Sequence, residues 1–466
     1  MLELRHLTNG NLKLGGVANR KLRFLIHRCQ RTLVAIPGYG VPILRGVLPL
    51  AVRSQGVLDA LLTLSDRLRH SDEQMRLSCS QTGTKALLDT PNQRILDNYQ
   101  ESLSKLQKSL LSIQSGLRDA EEAIAMSIIL LIFGFPGQRI WSVHLNGLIA
   151  LIQDPGIPAL ISPSLSLQAS KLAAHADICA FSLGRVERSQ RLWLNWRIHP
   201  LDEGPADSRA AGVQFSEFEV STAYPESLIT IIALASAVVE DTQTQRPRNC
   251  PIDRYIQNLA DHQRAIQHFA ALEEVGPTPI TPSSHASTAE DLLATERLIA
   301  QWEPPQHSQD LALDASLALT TAWSIMRSAT FIYLWRKGFA TDIRVDLGAS
   351  HSARTERFLR EGLSQMELVM QAAEHNDIMV ANALLWPLAV LGNECAWFPD
   401  LQHTVLDYFG RLNKHFPIHH SYVVSGLLQK LWRLTEEHAG GSDAIPFGCL
   451  CLQYLGIHDD ACIPLL

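Results

Sequence analysis

The chain has 466 residues, of which 46% are hydrophobic and only 19% are charged, so disorder over most of its length is excluded. The formal net charge of −7 gives the whole chain no attraction to phosphate, and bulk charge therefore does not favour nucleic-acid binding. No apolar run reaches the roughly 18 residues that span a bilayer, so we expect no membrane association.

The first residues, 1–45, form a basic N-terminal segment. They contain eight Lys and Arg residues against the single acid Glu3, a net charge of +7, so the remaining residues carry −14. This asymmetry is typical of an arm that faces nucleic acid, and also of a solvated basic surface. We expect weak, sequence-independent affinity for DNA at low salt, with Arg20, Lys21 and Arg23 as the first residues to examine.

Helical spacing of apolar residues dominates from about residue 57. The run Thr90-Pro91-Asn92-Gln93 has the form of a capping box and predicts the start of a helix. An apolar stripe follows, made of Tyr99, Leu103, Leu106, Leu110, Ile113 and Leu117. Such a stripe could be a coiled-coil seam or an exposed docking face, and we favour the buried face of one helix in a packed array.

Two further helices are closed by Gly/Pro turns. The apolar segment Glu121–Phe133 ends at Gly134-Phe135-Pro136-Gly137, and the segment that begins at Trp141 ends at Asp154-Pro155-Gly156. Short turns of this kind join antiparallel helix pairs. Strand alternation is weak, with Leu192–Ile198 the nearest candidate. The sequence therefore predicts an all-α fold, a large multi-helix array of antiparallel pairs with Pro/Ser/Thr-rich loops.

Three stretches rich in Pro, Gly, Ser and Thr interrupt the pattern, at 199–212, 273–291 and 303–310. The helical pattern resumes at Leu311 and continues to about Glu437, before Gly440-Gly441-Ser442. We therefore expect three parts: the basic segment 1–45, a single large helical domain over 46–437 with flexible insertions near 199–212 and 273–310, and a C-terminal tail over 438–466.

The usual catalytic and cofactor motifs are missing from the sequence. Gly38-Tyr39-Gly40 lacks the third glycine of a dinucleotide-binding loop. Cys449 and Cys451 have no second cysteine or histidine pair at zinc spacing. His415 and His419 are four residues apart, but Pro417 between them disfavours a regular helix and hence a metal site. We therefore predict no catalytic residues, no cofactor-binding residues and no metal ligands.

An all-α fold can also house a magnesium-dependent terpene cyclase, which needs two acidic motifs facing one cavity. Asn376-Asp377 could begin one motif, but Val380 and Leu384 occupy its serine and glutamate positions. Asp459-Asp460 could begin the other, but it follows rather than precedes the first and has no third aspartate. Both motifs fail.

The order of the segments along the chain resembles the regulatory region of fungal zinc-cluster transcription factors, the fungal-specific transcription factor domain. The segments that carry the resemblance are 47–51, 57–65, 99–103, 125–133, Trp141–Gly147, Ala176–Ile178 with Arg185, 329–336, Leu384–Glu394 and Leu431-Trp432. They cover about residues 40–435. Leu384–Glu394 is the most distinctive: Pro387 should kink a core helix, Gly392 should allow close approach, and Glu394 needs a buried partner or an exit to solvent.

The sequence departs from this family at one point. Members normally begin with a binuclear zinc cluster of six cysteines that places a helix in the major groove, and no segment here has that spacing. Three explanations remain open: a first exon missing from the gene model, regulation through a partner, or a scaffold put to another use.

The resemblance implies a transcriptional regulator or co-regulator of a fungal gene cluster, of secondary metabolism, working in the nucleus through a protein partner. The scattered cysteines and the absence of a signal peptide agree with a reducing compartment. The alternative is an enzyme, such as a cyclase or isomerase, that acts on an apolar small molecule in a helix-lined cavity.

Overall fold

The computed structural model describes residues 15–33, 42–80, 92–113, 117–135, 140–157, 160–185, 187–194, 222–244, 288–305, 311–339, 349–376, 378–415, 419–439, 452, 455–456 and 462–465. Over these residues the chain is almost entirely helical, with one short two-stranded antiparallel pairing. The prediction of an all-α multi-helix array is confirmed. No helix in this part of the chain is long and apolar enough to cross a membrane.

In the described part of the chain, seven helices surround the first of two hydrophobic cores, which we call the N-terminal core. Their bounds are α1 Gly16–Leu33, α2 Pro42–Arg53, α3 Gln55–Ser80, α4 Gln93–Ser112, α5 Leu117–Gly134, α6 Ile140–Gln153 and α7 Pro163–Asp177. From Ala123 to Phe133 helix α5 is apolar on nearly all sides, and this part is buried because α3, α4 and α6 pack around the helix. The N-terminal core contains buried residues from Leu22 to Ala176, together with Cys462.

The remaining elements surround the C-terminal core, which contains buried residues from Ala174 to Leu465. They are the 3₁₀ turn Cys179–Phe181, β1 Ser182–Leu183, α8 Glu226–Thr244, α9 Thr288–Gln301, α10 Leu313–Trp335, α11 Ala349–Asn376, the 3₁₀ turns Met379–Leu384 and Cys395–Trp397, α12 Leu385–Glu394, α13 Pro399–His415, α14 His419–Ala439 and β2 Ile463–Pro464. Helix α10 is the central helix here, in contact with α8, α9, α11 and α12.

The start of α4 differs from the predicted capping box. The N-cap is Asn92, whose Oδ1 accepts a hydrogen bond from the Ile95 amide at 3.1 Å. Thr90 and Pro91 lie outside the described residues. Asparagine is as strong an N-cap as threonine, and its side chain satisfies an amide that the first turn leaves without a helical partner.

The buried face of α4 is also turned relative to the predicted stripe. Ile95, Ser102 and Ser109 are buried, whereas Leu110 is 39% exposed. Tyr99, Leu106 and Ile113 pack against the N-terminal core as predicted. The hydrophobic pattern misplaced the face because two of its inward positions are serines. Ser102 satisfies its hydroxyl by donating to the Asn98 carbonyl at 2.9 Å, which makes its burial tolerable.

The predicted insertion over 273–310 contains a packed helix. Helix α9 runs from Thr288 to Gln301; its Ile299 is fully buried, and Trp302 beyond it donates to the Ser227 hydroxyl at 3.0 Å. Residues 288–302 of the predicted flexible insertion therefore pack in the C-terminal core. The Pro/Ser/Thr-rich run that predicted the insertion is followed directly by this amphipathic helix. Residues 199–212 and 306–310 lie outside the described residues. The division into three parts stays a prediction.

Leu192–Ile198, the nearest approach to a strand pattern, forms no strand where it can be compared: residues 192–194 form a helical turn, and 195–198 lie outside the described residues. The strand pairing joins β1 to β2 instead, with Ser182 opposite Pro464 and Leu183 opposite Ile463. Two residues per strand are too few to produce a recognisable alternation in the sequence.

The expected kink at Pro387 is also corrected. The chain forms the 3₁₀ turn Met379–Leu384, and α12 begins at Leu385, so Pro387 lies in the first turn, where a missing amide leaves no helical hydrogen bond unmade. Gly392 does permit a close approach, since a Cβ there would lie 2.6 Å from Leu428 Cδ1. The Trp432 indole of α14 donates to the Gly392 carbonyl at 2.9 Å.

Candidate functional site

A buried ion pair lies where the two cores meet. Asp177 ends α7, and Arg185 follows the short strand β1. Arg185 Nη2 donates to Asp177 Oδ1 at 3.0 Å, Arg185 Nη1 donates to the Asp177 carbonyl at 3.0 Å, and both side chains are 1% exposed. A buried pair is tolerated only when its remaining hydrogen-bonding capacity is used, so the surroundings of Asp177 matter.

The Asp177 carboxylate organises the loop that follows Arg185. Its Oδ2 accepts from the Ser189 hydroxyl at 2.9 Å and from the Leu192 amide at 3.3 Å, and its Oδ1 accepts from the Gln190 amide at 3.1 Å. Arg191, within this loop, has a φ of 56°. One buried carboxylate thus fixes a loop in an uncommon backbone conformation.

A thiol and a carboxylate form the neighbouring polar contact. The Cys179 thiol donates to Glu240 Oε1 of α8 at 2.9 Å, and the Ser189 amide donates to the same oxygen at 3.1 Å. Burial raises the pKa of the Cys179 thiol well above its ordinary value, although Arg185 opposes the shift, and burial also raises the pKa of Glu240. Because only a thiolate is a good nucleophile, Cys179 acts here as a hydrogen-bond donor in the fold.

An aromatic cluster encloses His175 beside the ion pair. The ring of His175 makes edge contacts with Phe181 and Tyr224, with centroids 5.0 Å apart in both cases. Burial lowers the pKa of His175 from 6.5 to about 3, so the imidazole is neutral at physiological pH. Tyr224 donates to the Ala383 carbonyl at 3.0 Å, which connects the cluster to the 3₁₀ turn before α12.

Of the two alternatives expected for Glu394, a buried partner or an exit to solvent, the structure shows the first, and the partner is Arg336. Arg336 Nε donates to Glu394 Oε2 at 2.8 Å, and Nη2 donates to Oε1 in a second, parallel bond. The Glu394 side chain is 1% exposed and that of Arg336 is 16% exposed. The bidentate geometry joins the end of α10 to the end of α12.

Helices α4 and α6 also meet within the N-terminal core, through two residues that lie 45 positions apart in the sequence. The Tyr99 hydroxyl of α4 and His144 Nε2 of α6 are 2.7 Å apart, and Tyr99 stacks on Phe133 with the centroids 4.7 Å apart. Burial lowers the pKa of His144 to about 4 and raises that of Tyr99 to about 12. Both groups are therefore neutral, and their contact is structural rather than acid–base chemistry.

The residues considered for metal or cofactor chemistry lie mostly outside the described part of the chain. These are Gly38-Tyr39-Gly40, Asp377, Cys449, Cys451 and Asp459-Asp460, and the side chains of Asn376, His415 and His419 are likewise not described. Among the residues that the structure does describe, no group of three or more His, Cys, Asp or Glu could hold a metal ion.

The basic N-terminal segment contains the amphipathic helix α1. Lys21 pairs with Asp66 at 2.5 Å and Arg28 pairs with Asp72 at 2.8 Å, so α3 neutralises part of the positive charge. Arg20 and Arg23 are exposed, whereas Leu25 is fully buried in the N-terminal core. The arrangement agrees with a basic helix face on a packed helix.

Several of these contacts involve segments on which the resemblance rests: Asp177 pairs with Arg185, the end of α10 pairs with α12, and α4 contacts α6. The model of the fungal specific transcription factor domain matches residues 24–444. The chain belongs to this family. No curated protein and no solved structure matches it. Membership in the fungal specific transcription factor domain family indicates a fungal regulator of transcription rather than an enzyme.

Sequence reasoning named Asp177 and Arg185 as parts of the family pattern but missed that they pair. A signal was present, because opposite charges bracket the apolar run from Ile178 to Leu183. Charges at both ends of a buried stretch must either leave the core or find each other.

Proposed function

We propose that this domain regulates transcription of a fungal gene cluster for secondary metabolism, that it does so in the nucleus, and that it acts through a protein partner. The observation that carries the proposal is the family match over residues 24–444, which covers most of both cores. The buried titratable groups around Asp177 are either paired or held neutral, which agrees with a structural role for these contacts.

We assign the recognition of the DNA base sequence to a partner protein. No segment of this sequence has the cysteine spacing of a zinc cluster, and phosphate contacts alone position a protein on DNA without specifying a sequence. A helical domain with two cores is a scaffold onto which such a partner can dock.

The test is deletion of the gene in its fungal host, with transcripts of the neighbouring genes and their pathway products measured together. We expect the transcripts to fall together and to recover with the wild-type gene. A complementing copy with Arg336→Met should restore them poorly, because Glu394 then remains buried without its partner; a copy with Arg433→Gln, which changes an exposed arginine, is the matched control. Unchanged transcripts with an accumulating pathway intermediate would contradict the proposal and indicate an enzyme.

Direct contact with DNA is proposed to be weak and independent of sequence. Two labelled duplexes of unrelated sequence, titrated at low and at physiological salt, should bind alike at low salt and lose nearly all binding at physiological salt. Arg20→Gln with Arg23→Gln should weaken the low-salt binding, whereas Arg433→Gln on α14, outside the basic segment, should not. Retention of one duplex in preference to the other at physiological salt would reveal a base-reading element.

A further inference from the structure

The outer face of α1 carries a row of basic side chains. Helix α1 packs against α3 and against the 3₁₀ turn Met379–Leu384, so elements of both cores hold it in place. Four exposed residues follow one another at spacings of three, four and four, which puts them on one face of the helix. We call this face the α1 stripe, and its members are Arg20, Arg23, His27 and Arg31. At the helical rise of about 1.5 Å per residue, the stripe is about 16 Å long.

Two other cations of α1 point in a different direction. Lys21 and Arg28 face α3, where each is paired with an aspartate. Arg20 and Arg23 of the α1 stripe, in contrast, have no acidic partner among the residues that the structure describes. The inner cations therefore serve the packing of α1, whereas the charge of the α1 stripe is available to another molecule. Its attraction extends over the screening length, about 8 Å at physiological salt.

The basic surface continues onto α3 and includes apolar side chains. The guanidinium carbon of Arg69 lies 4.9 Å from the centroid of the Phe24 ring, a cation–π contact that orients the charge beside the α1 stripe. Phe24 itself is partly exposed, and Val17, one turn before the stripe, is 59% exposed. Glu73 is exposed one turn beyond Arg69 and ends the basic surface on that side. The surface thus combines several cations with two apolar side chains.

An acidic helix of another protein matches this surface better than DNA does. Carboxylates three and four residues apart on a helix have the same spacing as the cations of the α1 stripe, and arginine clusters are a recognised binding mode for acidic motifs. The exposed part of Val17 and Phe24 can be covered by apolar side chains of a peptide, whereas a phosphate backbone gains nothing from it. A long duplex also experiences the field of the whole chain, whose net charge is −7.

We propose that the α1 stripe, together with Arg69, Val17 and Phe24, is the surface on which the partner protein docks, and that the partner binds it through an acidic amphipathic helix. The inference rests on the proposed function, which requires a protein partner, and it specifies where that partner binds and by which chemistry. Carboxylates of the partner pair with the guanidinium groups, and its apolar side chains cover Val17 and Phe24.

The experiment titrates the purified full chain into a fluorescent helical peptide that carries four glutamates at the spacing of the α1 stripe and two leucines beside them. We expect saturable binding by anisotropy at physiological salt. Arg20→Glu with Arg23→Glu should weaken it at least about tenfold, because attraction becomes repulsion. Arg433→Glu, an exposed arginine on α14, is the matched control and should leave the affinity unchanged. Val17→Ser should weaken peptide binding about threefold and leave the binding of a DNA duplex unchanged.

Controls separate a docking surface from general attraction between opposite charges. A peptide of the same composition in scrambled order should bind at least about tenfold more weakly, and the urea midpoints of all variants should match that of the wild type, because the changed side chains are exposed.

Three results would overturn the proposal: no peptide binding at physiological salt, equal binding of the scrambled peptide, or a duplex that binds more tightly than the peptide and responds to the same substitutions. If binding fails while gene deletion still lowers the transcripts, the docking surface alone is wrong. If the peptide binds but deletion leaves the transcripts unchanged, the proposed function alone is wrong.

Discussion

Replacing Asp177 by Asn should destabilise the protein far more than its small chemical change suggests. The substitution keeps the size of the side chain but removes its charge, which leaves the Arg185 guanidinium, 1% exposed, without its counter-charge. Breaking a buried pair in this way costs about 3–5 kcal/mol. The amide also retains only one oxygen for the three donors of the Ser189–Leu192 loop, and each buried donor left unsatisfied costs about 1–3 kcal/mol. We therefore expect a loss of at least about 4 kcal/mol.

The measurement is urea unfolding followed by tryptophan fluorescence, with the midpoint and the slope both recorded. Asp241→Asn is the matched control: Asp241 pairs with Arg191 of the same loop at 2.5 Å, but its side chain is 46% exposed, so we expect a loss of no more than about 1 kcal/mol. Adding Arg185→Met to Asp177→Asn should recover about 2 kcal/mol, since the uncompensated charge is then removed. A midpoint for Asp177→Asn that equals that of Asp241→Asn would refute the reasoning.

Three further predictions follow from packing and titration. Gly392→Ala should cost about 1–3 kcal/mol, because its Cβ would lie 2.6 Å from a leucine methyl of α14, whereas Gly410→Ala meets no atom within 4 Å and should be neutral or stabilising; equal midpoints in urea would contradict this. Leu106→Glu should destabilise the N-terminal core, while Leu110→Glu should be tolerated at a position 39% exposed, and a melting experiment in which both unfold alike would show that α4 is misoriented. His175, whose pKa burial lowers from 6.5 to about 3, stabilises the fold fully above pH 6.5 and progressively less as the pH falls towards 3, with a loss of about 2 kcal/mol at pH 5. His175→Gln should therefore flatten the dependence of the urea midpoint on pH between 7 and 5, and an unchanged slope would show that this histidine does not titrate as described.

Helix α12 shows how much of the structure could be predicted from local sequence. Its apolar run indicated a core helix, Gly392 indicated close approach, and the chemistry of a carboxylate required Glu394 to have either a buried partner or an exit to solvent. The identity of that partner could not be predicted, because Arg336 lies 58 residues away and the pairing depends on how α10 packs against α12. Local patterns specify what a residue needs, and tertiary packing specifies which residue supplies it.

Helix α4 shows where a hydrophobic pattern fails. Leucines at regular spacing predicted the inward face, yet Ser102 and Ser109 are buried and Leu110 is partly exposed. Serine is not counted as apolar, although its small volume and its hydrogen bond to the preceding turn make burial inexpensive. The surroundings of Asp177, where the two cores meet, were predicted only in part for a similar reason. The groups that bond to its carboxylate include backbone amides, and these cannot be identified from residue types.

The hydrogen bond between Trp141 and Cys462 joins residues 321 positions apart, and this separation has a consequence for synthesis on the ribosome. At about 5–20 residues per second, translation of the intervening chain takes roughly 15–60 s, which is ample time for helices of the N-terminal core to pack. During that interval the Trp141 indole has no acceptor from Cys462, and β1 has no partner in β2. The contacts of Cys462 in the N-terminal core therefore form only after residue 462 has been synthesised.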